Sequence, residues 1–240
     1  MSQPLYAQVA QYVRMRIESG EYAQGSRIPP EHDLAKLLRV SRPTVRQALA
    51  ALAREGYLLR VKGSGTFAAL PKVEHQSTTF LTGYREESAK NHRVLRTRVL
   101  FLGVERAGEA VSQALGIRPG ERVTRLTRLR WLENLYGNAP VVHTTVFVPT
   151  SLFPGMAQMD FTDASFYEAL AARDLMVCHA SRRLEVMPPE AEIANLLCIS
   201  LYEPVVCITS TGCTQAMTPV EYCKSYYPAS RSSFLIETHP

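Results

Sequence analysis

Residues 40–67, VSRPTVRQALAALAREGYLLRVKGSGTF, decide how the first part of this chain folds. Ser41 can cap a helix that opens with an arginine, and Gly56 marks the end of that helix. Val45 and Leu49 lie on its apolar face. After the glycine, YLLRV alternates as a strand, KGSG makes a turn and TFAA returns, which is typical of a β-hairpin. The stretch therefore predicts a helix with arginines at its start, followed directly by a hairpin with a basic tip.

Two further helices are predicted upstream of this stretch. Apolar residues recur every four positions over residues 4–19, and a turn rich in glycine and proline follows. A short helix is expected over residues 30–38, with Pro30 in its first turn. The leucines that this helix should bury are Leu34, Leu37 and Leu38. The order helix, helix, helix, hairpin predicts a winged helix-turn-helix.

The arginines at the start of the third helix suit DNA recognition. A recognition helix lies in the major groove with its N-terminal residues at the base edges, and arginine is the commonest donor to guanine. Arg42 and Arg46 share one helix face, and Thr44 can contact phosphate. The tip at Lys62 and Gly63 would reach an adjacent groove or the backbone. The alternative is a solvated helix face, but the cap, the helix order and the basic hairpin together favour DNA.

The distribution of charge supports the same interpretation. The chain has 240 residues and a formal net charge of +5. Residues 1–75 hold 11 Lys and Arg against 6 Asp and Glu, whereas residues 76–240 hold 16 of each kind. The entire excess of positive charge thus belongs to the first third, which indicates that this segment meets a polyanion.

Other features of the composition exclude several classes of protein. No apolar run approaches the ~20 residues of a membrane helix, and no secretion signal is seen, so no membrane association is expected. The five cysteines all lie in the last third and form no C-x-x-C pair. Reduced thiols in a cytoplasmic protein fit this pattern better than disulfides or a zinc site. We therefore expect no metal ion and no cofactor.

The remainder of the chain has a different organisation. Residues 1–69 are predicted as the winged helix-turn-helix domain, residues 70–77 as a polar linker and residues 78–240 as a second domain. In the second domain strand patterns outnumber helix patterns and pair mostly as hairpins, which predicts an α+β fold with a mostly antiparallel sheet. Arg128 and Arg130 are two residues apart on a predicted strand and so share a face, where they could bind a phosphate or carboxylate. The alternative is a solvent-facing stripe.

The motifs PLY, IP-E--LA, VSR-TVR-AL and G-GTF in the first domain resemble the DNA-binding domain of the GntR family of bacterial transcription regulators. The resemblance implies a homodimer that binds gapped palindromic operators in double-stranded DNA. The roles it implies are base contacts for Arg42 and Arg46, phosphate contacts for Ser41 and Thr44, and placement of the wing in the minor groove for Gly63.

Two positions depart from the pattern of that family. His32 stands where the family usually has an arginine that contacts DNA. A histidine there could still contact phosphate, although it would be mostly uncharged at neutral pH. Pro30 stands where the family prefers serine, so the second helix lacks a side-chain cap.

The second domain resembles the UTRA effector domain, which has a chorismate-lyase-like fold and occurs in the HutC subfamily. The motifs SFYEAL, AEIANLL-I----PV and TPVEYCKSYYPASR-SF carry this resemblance. In UTRA sensors of phosphorylated amino sugars, arginines at the positions of Arg128 and Arg130 bind the phosphate together with a serine, here Ser165. A glutamate and a tyrosine at the positions of Glu221 and Tyr227 bind the sugar side.

One departure in this domain bears on the ligand. Many relatives carry an acid at the position of Thr144, where it helps to hold sugar hydroxyls. Its absence puts an amino-sugar phosphate in doubt as the ligand, and we count Thr144 among the effector-binding positions.

These features predict a cytoplasmic DNA-binding transcription regulator that acts as a repressor. A small anionic metabolite, such as a phosphorylated sugar, an organic acid or a phosphonate, would bind the second domain and lower the affinity for the operator. No catalytic residues are expected, because no nucleophile and base cluster in the sequence. Two alternatives are a lyase-like enzyme fused to a DNA-binding head and a DNA binder that ignores metabolites.

Overall fold

A computed structural model describes residues 3–76, 94–133, 136 and 139–236. The chain separates into two compact units, and the division falls between Val73 and Glu74. None of the described helices is long and apolar enough to cross a membrane. The expected fold class, a winged helix-turn-helix followed by an α+β domain with an antiparallel sheet, is confirmed.

The first unit consists of three helices and a hairpin, in the predicted order. Its elements are α1 (Leu5–Glu18), α2 (Glu31–Leu38), α3 (Arg42–Arg54), β1 (Leu58–Val61) and β2 (Gly65–Ala68). Its core consists of apolar residues from all three helices, joined by residues of the hairpin. The fully buried members include Val13, Leu34, Val45, Ala48 and Leu52.

The second helix differs from the prediction in two respects. Pro30 lies at the capping position before α2, with extended backbone at φ −64° and ψ 158°, and not in the first turn. Leu37 is 60% exposed, while Ala35 is buried beside Leu34. Because successive residues of a helix are rotated by about 100°, Leu37 lies well away from the face that Leu34 and Ala35 define. An eight-residue helix that packs by one face buries only that face.

The third helix begins as its sequence predicts. The Thr44 backbone amide donates to Ser41 Oγ at 3.3 Å, and the two side-chain hydroxyls lie 2.8 Å apart. This serine cap satisfies one of the amides that a helix start leaves without a partner. At the other end Gly56 takes a left-handed conformation at φ +82°, which suits glycine and ends the helix before β1.

The hairpin after α3 has a tight tip. β1 and β2 pair antiparallel with Leu58 opposite Ala68 and Val61 opposite Gly65. The Ser64 amide donates to the Val61 carbonyl at 3.0 Å, and Gly63 has a φ of +78°. A Cβ at Gly63 would meet no described atom within 4 Å, so the tip projects from the first unit as a wing.

The second unit is built on a six-stranded antiparallel sheet with the strand order β4-β5-β6-β9-β8-β7. The strands of this sheet are β4 (Leu95–Arg106), β5 (Arg122–Leu132), β6 (Val142–Pro149), β7 (His179–Met187), β8 (Val205–Cys213) and β9 (Pro219–Pro228). The helices are α4 (Glu109–Leu115), a 3₁₀ turn at Met156–Gln158, α5 (Phe166–Ala171) and α6 (Ala191–Leu197).

The two faces of this sheet pack against different elements. One face carries an aromatic and aliphatic cluster that includes Phe153, Met156, Phe161 and Leu170. The other face packs against Ile193 and Leu197 of α6, and against Leu115 of α4. The Arg231 guanidinium donates to the carbonyls of Pro140, Leu197 and Cys198 at 2.7–3.1 Å, which satisfies the C-terminal end of α6.

Part of the predicted linker, residues 70–77, forms a strand. β3 (Val73–Gln76) pairs with β10 (Ser232–Leu235) in a separate two-stranded sheet. His75 is fully buried, and its ring centroid lies 4.8 Å from that of Tyr227 and 4.9 Å from that of Phe234. The stretch is polar and carries a proline, so its local pattern predicts a loop. The ring contacts of His75 are tertiary and stabilise a strand there.

Candidate functional site

The start of α3 presents two exposed arginines. Arg42 is exposed, and the side chain of Arg46 is 67% exposed. Arg46 Nε donates to Glu31 Oε2 at 3.1 Å, and Arg46 Nη2 also lies 3.1 Å from that oxygen. Glu31 is the first residue of α2, so this ion pair joins the two helices of the helix-turn-helix. The pair fixes the direction of the Arg46 guanidinium at the N-terminal part of α3.

The other predicted DNA contacts also lie at the surface of the first unit. The hydroxyls of Ser41 and Thr44 serve the helix cap and remain at least partly exposed. His32 is on α2, where its Nε2 atom lies 3.1 Å from Asp33 Oδ1. Lys62 and Gly63 are exposed at the tip of the hairpin. Arg42, Arg46 and Thr44 therefore share one short helix start, while His32 lies on the preceding helix and the wing residues lie on the hairpin.

The second unit contains a cavity of about 90 Å³, formed between the sheet and the segment that leads into α5. We call the sheet residues that line it the cavity floor. The described lining residues of the floor are Leu95, Thr97, Arg128, Arg130, Thr144, Val146, Arg182, Ile208, Ser210, Cys223, Ser225 and Tyr227. Thr162 and the run from Ala164 to Tyr167 complete the lining. The volume exceeds that of a single bound water several times over.

Arg128 and Arg130 both point into this cavity from β5. They are buried, with 4% and 8% of their surface exposed, so the alternative of a solvent-facing stripe is wrong. Burial, followed by the neighbouring charge of Arg130, lowers the pKa of Arg128. Arg128 Nε has no hydrogen-bond partner among the described residues. Two guanidiniums held side by side away from water favour an anion between them.

Thr144 lies next to Arg128 on the cavity floor. The register places Arg128 opposite Thr144, and Thr144 opposite Ser225. Ser225 Oγ donates to Thr144 Oγ1 at 3.3 Å. The middle of the floor thus carries neutral hydroxyls at the position where many UTRA domains have an acid. His143, the neighbour of Thr144, faces the opposite side of the sheet beside Tyr226, and burial lowers its pKa.

Glu221 lies behind the cavity lining and is fully buried. The Tyr167 hydroxyl donates to Glu221 Oε1 at 2.9 Å. Burial raises the pKa of Glu221 to about 7, while the Tyr167 hydrogen bond and the charges of Arg182 and Arg128 oppose that rise. A Cβ at Gly212 would lie 2.7 Å from both Cγ and Oε1 of Glu221, so only glycine leaves room for this carboxyl.

Most of the predicted effector-binding residues therefore meet in one place. Ser165 lines the cavity and also caps α5, since the Glu168 amide donates to its Oγ atom at 3.4 Å. Tyr227 lines the cavity and packs against the ring of His75. Glu221 is the exception, because it is not among the lining residues and instead accepts a hydrogen bond from the lining residue Tyr167.

The sequence analysis missed several polar lining residues, namely Thr97, Thr162, Tyr167, Arg182, Ser210 and Ser225. Tyr167 is the third residue of the SFYE motif, so its place in that motif could have identified it. Arg182 differs from its exposed neighbour Arg183 in sharing its strand face with Ala180, Leu184 and Val186, which was a weak local signal. Among the described residues, no three His, Cys, Asp or Glu side chains group closely enough to hold a metal ion.

Two family models match this chain. The model described as the UTRA domain matches residues 90–233. The model described as bacterial regulatory proteins, gntR family, matches residues 5–68. The first match covers the part of the chain that contains the cavity, and the second covers the part with the three helices and the wing.

Individual proteins show the same similarity over nearly the whole chain. The transcriptional repressor NagR of Bacillus subtilis is 28% identical over 97% of this chain and 93% of its own length. The histidine utilization repressor of Pseudomonas aeruginosa is 31% identical over 85% of this chain and 80% of its own. The crystal structure of PhnF from Mycobacterium smegmatis superposes with a TM-score of 0.74 at 22% identity, covering 98% of this chain and 99% of that one.

Proposed function

This chain belongs to the GntR family of bacterial regulatory proteins and carries a UTRA domain, and on that basis we propose that it is a repressor released from its operator by a small anionic metabolite. The cavity of the second unit would hold the metabolite. Binding must favour the protein state with low operator affinity, since a ligand with equal affinity for both states shifts nothing. We also infer that the protein acts in the cytoplasm as a homodimer on a gapped palindrome.

The features of the first unit support the DNA-binding part of this proposal. Arg42 and Arg46 stand exposed at the start of the recognition helix, next to the capping Ser41. The excess positive charge of the chain lies in residues 1–75. NagR and the histidine utilization repressor are both named as repressors. A winged helix-turn-helix with exposed arginines at the start of one helix and a basic wing is suited to bind one half-site of an operator.

The observation that carries the effector part is the pair of buried arginines. Arg128 and Arg130 place two positive charges in one cavity, where the described lining residues include no Asp or Glu. Guanidiniums that share a cavity can donate charge-assisted hydrogen bonds to the same anionic group. A ligand with such a group is therefore favoured over a neutral one. Phosphate, phosphonate and carboxylate groups have the required shape and charge.

We further infer that the second unit senses its ligand and does not transform it. The NagR and histidine utilization relatives are named as regulators, and the cavity holds no adjacent nucleophile and base among its described lining residues. Incubation of the protein with a ligand that releases it from DNA should return that ligand unchanged. Conversion of the ligand would instead support the lyase-like alternative.

Fluorescence anisotropy with the DNA just upstream of the gene tests the DNA-binding part. Wild type, Arg46→Ala and Arg54→Ala should be compared at two salt concentrations, with unrelated DNA as competitor. Arg54 is exposed in the last turn of the same helix and serves as the matched control. Arg46→Ala should lose about 1–3 kcal/mol of discrimination between operator and competitor. Equal discrimination by all three proteins, with affinity governed only by salt, would contradict the assignment of α3 as the recognition helix.

A thermal-shift titration with inorganic phosphate tests the effector part. Phosphate should raise the Tm of wild type increasingly with its concentration, because a ligand that binds only the folded state stabilises it. Arg128→Gln should lose this response and still bind operator DNA, which shows that the variant is folded. A phosphate response that survives in Arg128→Gln would place the anion elsewhere.

A further inference from the structure

A third guanidinium lines the same cavity. Arg182 on β7 joins Arg128 and Arg130 among the lining residues, and no described lining residue is acidic. Glu221, which accepts a hydrogen bond from the lining residue Tyr167, is buried and has a pKa raised to about 7, so its carboxyl is protonated in part at neutral pH. Arg182 therefore adds a third guanidinium that can donate charge-assisted hydrogen bonds, from a strand other than β5.

The three arginines do not approach the cavity from one side. Arg128 and Arg130 are on β5, whereas Arg182 is on β7 at the far edge of the sheet. Strands β6, β9 and β8 lie between them. With a spacing of roughly 4.8 Å between neighbouring strands, the backbones of β5 and β7 are about 19 Å apart along the sheet. All three side chains line the cavity, and the strands between them carry the neutral hydroxyls of Thr144 and Ser225 on its floor.

Ser210 gives the far end of the cavity a second polar group. Ser210 is the cross-strand partner of Arg182 and lines the cavity beside it. It is 6% exposed, and its Oγ atom has no hydrogen-bond partner among the described residues. A buried hydroxyl without a partner costs free energy unless a ligand atom accepts or donates a hydrogen bond. A guanidinium and a hydroxyl side by side match the two oxygens of a carboxylate.

We propose that Arg182 and Ser210 form a second anion-binding subsite, so that the cavity selects a ligand with an anionic group at each end. This inference rests on the proposed function, in which the first anionic group binds Arg128 and Arg130. The second group is a carboxylate or another small acid at Arg182. The part of the ligand between the two groups passes over Thr144, where no acid is present to accept hydrogen bonds from sugar hydroxyls. A two-ended acid therefore fits this cavity better than a phosphorylated amino sugar.

Matched pairs of small phosphonates test this inference on the full-length protein. Each pair has the same number of carbons, and one member carries an added carboxylate: phosphonoacetate with ethylphosphonate, 3-phosphonopropionate with propylphosphonate and 4-phosphonobutyrate with butylphosphonate. Calorimetry should compare wild type with Arg182→Gln, Arg182→Lys and Arg183→Gln. Arg183 is exposed on the same strand, and strand alternation turns it to the opposite face, which makes it the matched control.

The inference predicts that one diacid of the series binds wild type at least about tenfold more tightly than its partner, the scale of one added charge-assisted hydrogen bond. Arg182→Gln should abolish that preference, Arg182→Lys should keep part of it and Arg183→Gln should keep all of it. A preference that persists in Arg182→Gln would overturn the subsite.

The remaining outcomes separate this inference from the function on which it rests. If both members of every pair bind wild type equally and Arg128→Gln abolishes binding, the anion site at β5 stands and the second subsite is wrong. If no phosphonate binds wild type at all, the anionic-effector proposal fails and the subsite fails with it.

Discussion

The carboxyl of Glu221 is subject to opposing influences that shift its pKa. Full burial disfavours its charged form, while Tyr167 donates a hydrogen bond that favours it. Burial prevails, and the pKa rises from 4.5 to about 7. Because the folded state holds this proton more tightly than the unfolded state, the resulting stability is complete below about pH 4.5. It is lost as the pH rises through 7.

Glu221→Gln should remove this loss of stability at higher pH. A glutamine keeps the shape of the side chain and cannot ionise, so the variant should gain in Tm relative to wild type, by several degrees, as the pH rises from 4.5 to 8. Thermal melts of both proteins across this range measure the difference. Parallel curves would show that Glu221 ionises as readily in the folded protein as in the unfolded chain.

Gly212→Ala should destabilise the second unit. The added methyl group would lie 2.7 Å from Glu221 and 2.9 Å from Val177 Cγ1, closer than real contacts allow. Overpacking of this kind costs about 1–3 kcal/mol, which thermal or urea unfolding can measure. Gly108→Ala is the control, because nothing lies within 4 Å of a Cβ at that position. Equal stability of the two variants would mean that Glu221 can move aside without cost.

The arginines of the cavity differ in how well the sequence predicts their position. Arg128 and Arg130 could be assigned to one face, because they are two apart on a strand and match a family motif. Arg182 shares its face of β7 with Ala180, Leu184 and Val186, whereas Arg183 lies on the more polar face with His179, Ser181 and Glu185. Alternation therefore favours Arg182 for the inward face. Only the tertiary position of β7 places that side chain in the cavity lining.

Among the secondary-structure elements, the ends of α3 were predicted accurately, whereas the buried face of the short helix α2 was not. Ser41 and Gly56 bound α3 by local chemistry, and the structure has both ends where that chemistry requires them. The exposure of Leu37 was not foreseen, since eight residues contain too few turns for periodicity to identify the buried face. The pairing of α2 with α3 through Glu31 and Arg46 is a tertiary contact that neither helix signals alone.

Glu31→Gln should change how α2 and α3 act together on DNA. The substitution removes the ion pair that directs Arg46 and removes a negative charge near the phosphates. Affinity for unrelated DNA should rise, while discrimination for the operator falls by up to about tenfold. Competition anisotropy measures both quantities. Glu55→Gln, which breaks an ion pair with Arg14 elsewhere in the first unit, is the control. An unchanged ratio of operator to non-operator affinity would contradict the positioning role of Glu31.

For the whole molecule, the central question is how a ligand in one unit affects DNA binding by the other. β3 begins at Val73, where the first unit meets the second along the chain, and its His75 ring packs on Tyr227 of the cavity floor. The sequence predicted a polar linker here, because a four-residue strand without apolar alternation leaves no local pattern. The burial of His75 depends on Tyr227 and Phe234, which are more than 150 residues away in the chain.

His75→Ala should separate ligand binding from release of DNA. Loss of the ring contact leaves the arginines of the cavity in place, so the affinity for an effective phosphonate should change little. The same ligand should then lower operator affinity less than it does in wild type, because β3 has lost its ring contact with Tyr227. Calorimetry and anisotropy on the same protein measure the two effects. An unchanged release of DNA would exclude this route of coupling.

The arrangement of the cavity floor has a consequence for the evolution of new inducers. Its polar residues stand on separate strands, with Arg128 on β5, Thr144 on β6 and Arg182 on β7. The opposite face of the sheet packs against α6. Under the proposed function, a substitution at one floor position alters the contacts of one end of the ligand without repacking that core or touching the arginines proposed to read DNA. Such a domain can serve as a starting point for biosensors, in which a small set of substitutions changes the residues that contact one end of the inducer.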